Sequence, residues 1–425
     1  MKLPLESFGI ALALACAVPV LAQRAEDKPL PPPEPVHVEL RFDFRPGAAA
    51  SGFTSVRADN AYSVERGHGF DLDTRPGGDM PFFFSAAVPE GNYRVTVTVG
   101  DLNDESDTTI RTETGRIMAV GVRTARGEYV TRRFQANVRR PQLPPPPMNA
   151  PGGSIVHMFL AGEAESRAWD EKLTIEFNGP RPRVAAVEIV KDDAVPTLFV
   201  AGDSTVADPR RGPGGNWPAQ LCQFLKPGIV VCNSAEGGET SKSFITGYRF
   251  DKVLSQMKAG DFFLVQFGHN DSKPQWPQSY TEPATSFKAY LSVFLAETQR
   301  RGATLVLVTP MERRANGDTV GPWARAMREF AGEHDVPLID QWAMSKQMWT
   351  ALGDDVGAAF DDQTHLSGYG GYLLAKNIVR GIKAGVPELA EFVVDDYFDM
   401  DPSHPEPPPA YLQQSPGPAN RPASP

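Results

Sequence analysis

The chain has 425 residues and a formal net charge of -10, and its charges are not gathered into long acidic or basic blocks. Nucleic acids and anionic membranes bind concentrated positive surfaces, so this pattern argues against both as partners. Hydrophobic residues make up 41% of the chain, whereas 40 prolines and 38 glycines are more than a mainly helical protein tolerates. We therefore expect a globular protein with β-rich or α/β domains.

The first 22 residues have the pattern of a secretory signal peptide. Lys2 precedes an apolar stretch from Phe8 to Ala22, and the small residues around Ala22 are typical of a cleavage site. Lipid attachment at Cys16 is disfavoured, because the residue three places before it, Ala13, is not a large aliphatic one. No other apolar run approaches the ~20 residues that span a bilayer. The sequence predicts a secreted or periplasmic protein without a membrane span.

A proline-rich spacer, residues 23–36, precedes a region with the pattern of an all-β jelly-roll sandwich, residues 37–192. Short β-like runs are separated there by turns: 38–44, 82–88, 93–99, 116–122, 129–138, 154–161, 172–179 and 184–190. Four prolines after Leu143 predict a loop insertion within the sandwich. Arg-Arg pairs beginning at 132, 139, 210, 300 and 313 are interpreted as solvated faces.

Residues 193–400 have a different sequence pattern, in which apolar strands alternate with segments of helical period. The strands are 197–202, 228–233, 262–268, 304–310 and 337–341, and the helices are about 216–226, 285–301, 321–334 and 366–384. Continuously apolar strands are covered on both faces, so we expect a flavodoxin-like parallel sheet covered by helices. Ligands of such sheets lie outside the carboxyl ends of the strands. The composition of residues 401–425 predicts a disordered proline-rich tail.

The cysteines leave open whether the protein has a disulfide, whereas the histidines argue against a metal site. Cys222 and Cys232 remain after signal removal, and they are either bridged across a helix-to-strand connection or two free buried thiols. The seven histidines are scattered, without the spacing of a metal motif, so we expect neither a metal nor a cofactor.

Four segments at strand ends or a helix start carry candidate chemistry. Ser204 lies in Gly-Asp-Ser-Thr after the first strand, Gly238 follows the second, Asn270 follows the third, and Asp362 and His365 precede the last helix. Each has a structural explanation when taken alone: a turn or helix cap, a flexible glycine turn, or an amide that satisfies loop carbonyls.

Together, these residues match the parts of a serine hydrolase. A nucleophilic Ser204 needs a base and a group to orient that base, and the spacing of His365 and Asp362 suits both roles. The backbone N–H groups of Ser204 and Gly238 and the side-chain amide of Asn270 are candidate donors to the oxyanion. The combination predicts acyl transfer.

The segments GDST, NSAEGGETSKSF, QFGHND and DDQTHLSGYGG resemble those of SGNH/GDSL-type hydrolases, and within them the rhamnogalacturonan acetylesterase group. The resemblance covers residues 196 to about 392, and the letters S, G, N and H correspond to Ser204, Gly238, Asn270 and His365. The N-terminal sandwich resembles a galactose-binding-like module attached to some of these esterases. The resemblance implies removal of acetyl groups from a plant cell-wall polysaccharide of the rhamnogalacturonan or pectin kind, through an acyl-enzyme on Ser204.

One departure from the family pattern concerns the substrate. The family commonly has Arg and then Ser after the second glycine, whereas this chain has Glu239 and Thr240. An anion in place of a cation puts recognition of an acidic polysaccharide in question. Two alternatives stay open: a lipase or thioesterase-type enzyme acting on other acyl esters, and a non-catalytic carbohydrate-binding protein.

Four further residues have alternative interpretations. Asp208 and Glu236 lie near strand ends and are interpreted as solvated loop carboxylates. Trp217 and Trp276 either stack on a sugar ring or belong to the core. The sequence makes no prediction of the oligomeric state.

Overall fold

The structure is a computed structural model, and it describes residues 37–113, 115–144, 158–160, 165, 167–208 and 215–413. The predicted signal peptide, the spacer, the proline run from residue 145 and the chain from residue 414 onward lie outside the described residues. Within the described ranges, no helix has both the length and the apolar character needed to cross a bilayer.

Two five-stranded sheets form the N-terminal region. Their strands in chain order are β1 (Glu39–Asp43), β2 (Thr54–Ser55), β3 (His68–Asp71), β4 (Phe82–Ala87), β5 (Gly91–Val99), β6 (Ser106–Thr112), β7 (Arg116–Thr124), β8 (Val130–Val138), β9 (Lys172–Arg181) and β10 (Ala186–Lys191). One sheet has the order β2-β1-β10-β5-β8 and the other β3-β4-β9-β6-β7. Neighbouring strands are antiparallel except β1 and β2.

The predicted sandwich is confirmed, because the two sheets share one apolar core. Along β5, Tyr93, Val95 and Val97 are fully buried while Arg94 between them is exposed, as period-2 alternation requires. Phe42 of the first sheet meets Phe84 of the second with ring centroids 5.0 Å apart. The core therefore lies between the sheets.

The sandwich differs from the predicted pattern at its less regular strands. The short strands β2 and β3 and the polar strand β6 were not predicted, because none shows a clear apolar alternation. The predicted strand 154–161 was wrong where it can be compared, since residues 158–160 are irregular. Met158 packs instead against Ala168 and Trp169 in a small separate cluster.

The second region is a parallel five-stranded sheet of order β12-β11-β13-β14-β15, as predicted. Its strands are β11 (Thr197–Gly202), β12 (Val230–Asn233), β13 (Phe262–Gln266), β14 (Thr304–Val308) and β15 (Leu338–Ile339). Its helices are α1 (Trp217–Leu221), α2 (Ser241–Thr246), α3 (Arg249–Gln256), α4 (Lys288–Arg300), α5 (Gly321–His334), α6 (Gln341–Leu352), α7 (Gly368–Gly385) and α8 (Pro387–Ala390). Leu198 and Val200 pack into the core on one face, and Phe199 and Ala201 into the core on the other. Both faces are thus covered by helices.

Four helices, α2, α3, α6 and α8, were not predicted. Helices α2, α3 and α8 have six, eight and four residues, which is too short for a helical period to be recognised. The buried stripe of α6 contains the polar residues Gln341 and Ser345 beside Met348 and Trp349, so its apolar periodicity is broken.

The prediction of a disordered tail from residue 401 was wrong for residues 401–412. Tyr411 is 8% exposed, and its hydroxyl donates to Gln220 Oε1 at 2.7 Å. The Glu406 carboxylate pairs with Lys376 at 2.8 Å. An extended proline-containing segment can stay ordered when a few side chains anchor it, and composition does not reveal such anchors.

The two cysteines are free thiols, so the open question is answered against a disulfide. Cys232 is buried in β12, and Cys222 donates to Pro218 O at 3.4 Å. Burial raises the pKa of the Cys222 thiol to about 12, so this partly buried group is a neutral thiol at neutral pH.

Candidate active site

Ser204 lies in a tight turn that directly follows β11. A Cβ on Gly202 would lie 2.6 Å from the Val206 side chain and 2.9 Å from Gln266 O, so only glycine lets the chain turn this closely. The Asp203 carboxylate accepts from the backbone and hydroxyl of Thr205, at 2.9 and 2.8 Å. The Gly-Asp-Ser-Thr segment thus fixes the turn, and it leaves Ser204 half-buried at the carboxyl edge of the sheet.

The structure brings Ser204, His365 and Asp362 together. His365 Nε2 lies 3.0 Å from Ser204 Oγ, and His365 Nδ1 lies 2.6 Å from Asp362 Oδ2. The second Asp362 oxygen accepts from the backbone N–H groups of Thr364 and His365, at 2.6 and 2.7 Å. Both carboxylate oxygens are therefore engaged, which orients the carboxylate toward the imidazole.

The surroundings of Asp362 favour the ionised form of its carboxyl group. Partial burial raises its pKa, but the hydrogen bonds from His365 and Thr364 together outweigh burial and lower the pKa to about 2. Asp362 is thus ionised at neutral pH, and an anion at Nδ1 favours the tautomer in which Nε2 is free to accept the Ser204 proton.

The three predicted oxyanion donors occupy loops that follow adjacent strands, β11, β12 and β13. Gly238 has φ +86° in a turn closed by Glu239 N donating to Glu236 O at 3.3 Å, a conformation that favours glycine. Within the part of the chain that the structure describes, the backbone N–H groups of Ser204 and Gly238 donate no hydrogen bond. Asn270 Nδ2 donates to Glu239 O at 2.9 Å, and a primary amide carries a second hydrogen on that nitrogen.

A cleft of about 410 Å³ contains the serine, the imidazole and the Asp362 carboxylate. Its described lining is Ser204, Ala207, Asp208, Gly215, Asn216, Gly237, Asp361, Asp362, His365 and Leu366. Among these residues, only Ala207 and Leu366 have purely apolar side chains other than glycine. A larger cavity of about 650 Å³ lies in the sandwich against Phe44 and Phe70, and it contains none of the predicted site residues.

Buried polar residues join the loops that carry the site. His269 is 2% exposed, with Nε2 3.0 Å from Met311 O and Nδ1 3.4 Å from Asp203 Oδ2. Asp271 accepts from Ser241 Oγ at 2.6 Å, which ties the loop after β13 to the start of α2. Burial raises the pKa of Asp271 to about 7. His269 and Asp271 belong to the segment QFGHND, but the sequence of this segment alone does not show which of its side chains are buried and stabilise the loops.

Asp208 was wrongly interpreted as a solvated carboxylate. One of its oxygens accepts from Arg116 at 2.8 Å and from Arg139 at 2.9 Å, and the other accepts from Asn233 at 3.0 Å. Both arginine side chains are 1% exposed, and both belong to the sandwich. Arg139 was therefore wrongly assigned to a solvated face. The wall of the cleft is fixed by residues about 70 to 90 positions earlier in the chain, as the separations of 69 and 92 show.

Two further carboxylates near the site also have protein partners. Glu236 is 6% exposed and accepts from the backbone of Gly237 at 2.7 Å, so its interpretation as a solvated carboxylate was wrong. Glu239 lies 3.3 Å from the buried Arg249 guanidinium and accepts a hydrogen bond from Ser243. The anion that replaces the usual family arginine is thus partly compensated.

The two tryptophans have different environments. Trp217 is fully buried, and its Nε1 donates to Gln266 Oε1 at 3.1 Å, so it belongs to the core. Trp276 is 52% exposed in the loop after β13, where its backbone N–H donates to Lys273 O at 3.0 Å.

Comparison with known proteins matches the chain to one family. A profile of the GDSL-like lipase/acylhydrolase family matches residues 200–371. The rhamnogalacturonan acetylesterase RhgT of Bacillus subtilis (strain 168) is 34% identical over 215 residues, which cover 45% of this chain and 91% of RhgT. The probable rhamnogalacturonan acetylesterase YesY of the same organism is 33% identical over 213 residues, covering 47% and 98%. The uncharacterized esterase YxiM, also from that organism, is 26% identical over 381 residues, covering 81% and 90%.

Proposed function

The chain belongs to the GDSL-like lipase/acylhydrolase family and is a carboxylic ester hydrolase, and on that premise we propose that it removes acetyl groups from a carbohydrate. The substrate we propose is a plant cell-wall polysaccharide of the rhamnogalacturonan or pectin kind, or an oligosaccharide derived from it. The observation that carries the proposal is the hydrogen-bonded series from Asp362 through His365 to Ser204, with separations of 2.6 and 3.0 Å.

The reaction proceeds in two acyl-transfer steps. Ser204 Oγ attacks the ester carbonyl carbon while His365 Nε2 accepts the serine proton. The protonated imidazole then gives this proton to the departing sugar oxygen as the C–O bond breaks, leaving an acetyl group on Ser204. Water attacks the acetyl-enzyme with His365 as base, and acetate and free Ser204 are the products.

Each candidate residue has a defined role in this reaction. Asp362 stays ionised and stabilises the imidazolium that forms at His365. The backbone N–H groups of Ser204 and Gly238 and the Asn270 side-chain amide are the donors we assign to the oxyanion. Their availability supports this assignment, since the first two groups donate no hydrogen bond in the described ranges.

The polar cleft supports a short acyl group. A long acyl chain requires an extended apolar wall, whereas Ala207 and Leu366 are the apolar side chains of the described lining. This observation favours acetate over the fatty acyl groups of a lipase or thioesterase. The similarity to RhgT, a rhamnogalacturonan acetylesterase, and to YesY, a probable rhamnogalacturonan acetylesterase, supports the same choice.

The charge around Asp208 is compatible with an acidic polysaccharide, because this carboxylate is paired with the two guanidinium groups of Arg116 and Arg139. The Glu239 carboxylate lies 3.3 Å from Arg249, but the same guanidinium pairs with Glu165 at 2.6 Å, so the charge of Glu239 is only partly compensated. Export to the cell exterior or the periplasm is part of the proposal, and it rests on the sequence of residues 1–22 alone.

The decisive experiment measures acetate released from acetylated rhamnogalacturonan, xylan and mannan by the purified protein and by Ser204→Ala. We expect release from rhamnogalacturonan and its abolition in the variant. A chromogenic acetate ester cleaved while every polymer stays intact would overturn the polysaccharide assignment. Rates that rise from acetate to octanoate esters would support the lipase or thioesterase alternative, and binding of polymer without any ester cleavage would support a non-catalytic protein.

A further inference from the structure

The side chain of Lys273 donates a hydrogen bond to the proposed oxyanion donor Asn270. Its Nζ donates to Asn270 Oδ1 at 2.6 Å, in the same turn in which Lys273 N donates to Asn270 O at 3.3 Å. The amide nitrogen of Asn270 points the other way and donates to Glu239 O at 2.9 Å. These two hydrogen bonds hold both ends of the Asn270 side-chain amide. Asn270 is 7% exposed, so the amide is largely shielded from water.

The contact is not a by-product of an ion pair. Among the residues that the structure describes, no carboxylate oxygen lies within 4.0 Å of the Lys273 ammonium. The half-buried ammonium is therefore directed at a neutral amide oxygen, which is its hydrogen-bond partner in the described chain. A lysine that served only to carry surface charge would not need this geometry.

A cation on the oxygen of an amide has two consequences for the nitrogen. The cation fixes the orientation of the amide with its oxygen toward Lys273, because an ammonium group only donates hydrogen bonds and repels the NH2 group. It also polarises the amide toward the form with more positive N–H hydrogens, and hydrogen bonds that involve an ion are shorter and stronger than neutral ones. Both consequences improve Asn270 Nδ2 as a donor to a developing negative oxygen.

We propose that Lys273 is a positioning residue for the hydrolysis, which holds and polarises the Asn270 amide so that its free N–H stabilises the oxyanion. The inference rests on the proposed function, in which Asn270 is an oxyanion donor. It assigns to Lys273 a task in the chemical step and none in binding the sugar.

The test is a double-mutant cycle between Lys273 and Asn270, measured with a neutral chromogenic acetate ester. We expect Asn270→Ala to lower kcat on the order of 100-fold. Lys273→Met should lower kcat about 10-fold with KM little changed, since one charge-assisted hydrogen bond is lost. In the Asn270→Ala background, Lys273→Met should cause no further loss, because the group it acts through is gone.

Lys273→Arg is the conservative variant, and it should recover most of the activity because it keeps the charge and the donors. Unfolding midpoints of all variants separate a loss of folding from a loss of catalysis. Independent effects of the two substitutions, an effect on KM alone, or unchanged kcat in Lys273→Met would each overturn the inference.

A second measurement keeps the inference testable if the acetate ester is a poor substrate. A serine-reactive organophosphorus ester places a phosphoryl oxygen where the oxyanion forms, so its rate of covalent reaction with Ser204 reports the same donors. Lys273→Met should slow this reaction by a factor similar to the loss in kcat, and an unchanged rate would overturn the inference. Wild-type protein that reacts with the organophosphorus ester but releases no acetate would count against the proposed function and leave the Lys273 result standing.

Discussion

Arg139 of the sandwich donates to Asp208 in the wall of the catalytic cleft at 2.9 Å, with 1% of the arginine side chain exposed. Arg116 donates to the same carboxylate oxygen at 2.8 Å. The sandwich therefore contributes to the shape of the cleft. A carbohydrate-binding module attached by a flexible connection would have no such buried ion pair.

Arg139→Met is expected to destabilise the fold by about 2 kcal/mol, because it removes a buried charge-assisted hydrogen bond to Asp208 and the contact of the guanidinium with the Trp169 ring, 4.4 Å from its centroid, while Arg116 still pairs with Asp208. It should also lower kcat/KM, since the Asp208 loop lines the cleft. The matched control is Arg140→Met, at an arginine whose side chain is 47% exposed and whose ion pairs should contribute no more than about 1 kcal/mol. Chemical denaturation of both variants measures the difference, and equal losses would mean that the buried pair does not stabilise the protein.

Asp362→Asn should lower kcat by about 10⁴-fold while leaving the fold intact, because an amide no longer favours the imidazole tautomer that accepts the Ser204 proton. Steady-state kinetics with an acetate ester measure the loss. Asp361→Asn, at the neighbouring position, is the control and should retain most of the activity toward a neutral ester. A loss of less than about tenfold in Asp362→Asn would remove Asp362 from the catalytic series.

Much of the α/β region was predictable because its chemistry follows the ends of regular elements. The apolar strand before Ser204 predicted its position at the edge of the sheet. The helix after Asp362 and His365 predicted theirs at the start of that helix. The supports of the site were not predictable, since Arg116, Arg139 and Lys273 are polar residues whose burial or direction depends on contacts distant in sequence or on the path of a turn. A charged residue read alone is expected in solvent, and only the folded structure reveals its partner.

The pH dependence of stability should change in Glu113→Gln. Glu113 is 1% exposed, and burial raises its pKa from 4.5 to about 8, although Arg116 lowers it. Between these values the folded state holds a proton that the unfolded state has released, so stability falls as pH rises, by up to about 1.4 kcal/mol per pH unit.

Gln cannot release a proton, so the variant should lose less stability than the wild type between pH 5 and pH 8. Unfolding free energies at several pH values measure the two slopes. Glu65→Gln, at an exposed position, is the control and should leave the slope unchanged. Parallel curves for wild type and Glu113→Gln would show that Glu113 is ionised in the folded protein.

Trp276→Ala should weaken binding of polysaccharide without affecting the chemical step. The indole is 52% exposed in the loop that also carries Asn270, and a flat aromatic face suits stacking on a sugar ring. We expect KM for acetylated polymer to rise about tenfold, equivalent to about 1.4 kcal/mol, while kcat for a small acetate ester stays unchanged. Phe398→Ala, at an aromatic residue that is 75% exposed elsewhere, is the control. Equal KM values for Trp276→Ala and wild type would exclude stacking.

Substitution of Asp361 in the cleft can show whether the charge of the substrate affects its binding. Its side chain lines the cleft and accepts no hydrogen bond within the described ranges, unlike those of Asp208 and Asp362. Burial and the charge of Asp362 raise its pKa, and above that value it is an anion without a direct partner. Two like charges about 7 Å apart in water repel by about 0.6 kcal/mol, which corresponds to about threefold in affinity.

Asp361→Asn should therefore raise kcat/KM for an acetylated acidic oligosaccharide by about threefold or more, because the amide removes this repulsion. The same variant should change kcat/KM little for an acetylated neutral oligosaccharide of equal length. Asp354→Asn, at an exposed position outside the cleft lining, is the control for a change in net charge alone. The gain on the acidic substrate should shrink in high salt, since screening weakens the repulsion in the wild type. Identical gains on both substrates would show that Asp361 acts by shape rather than by charge.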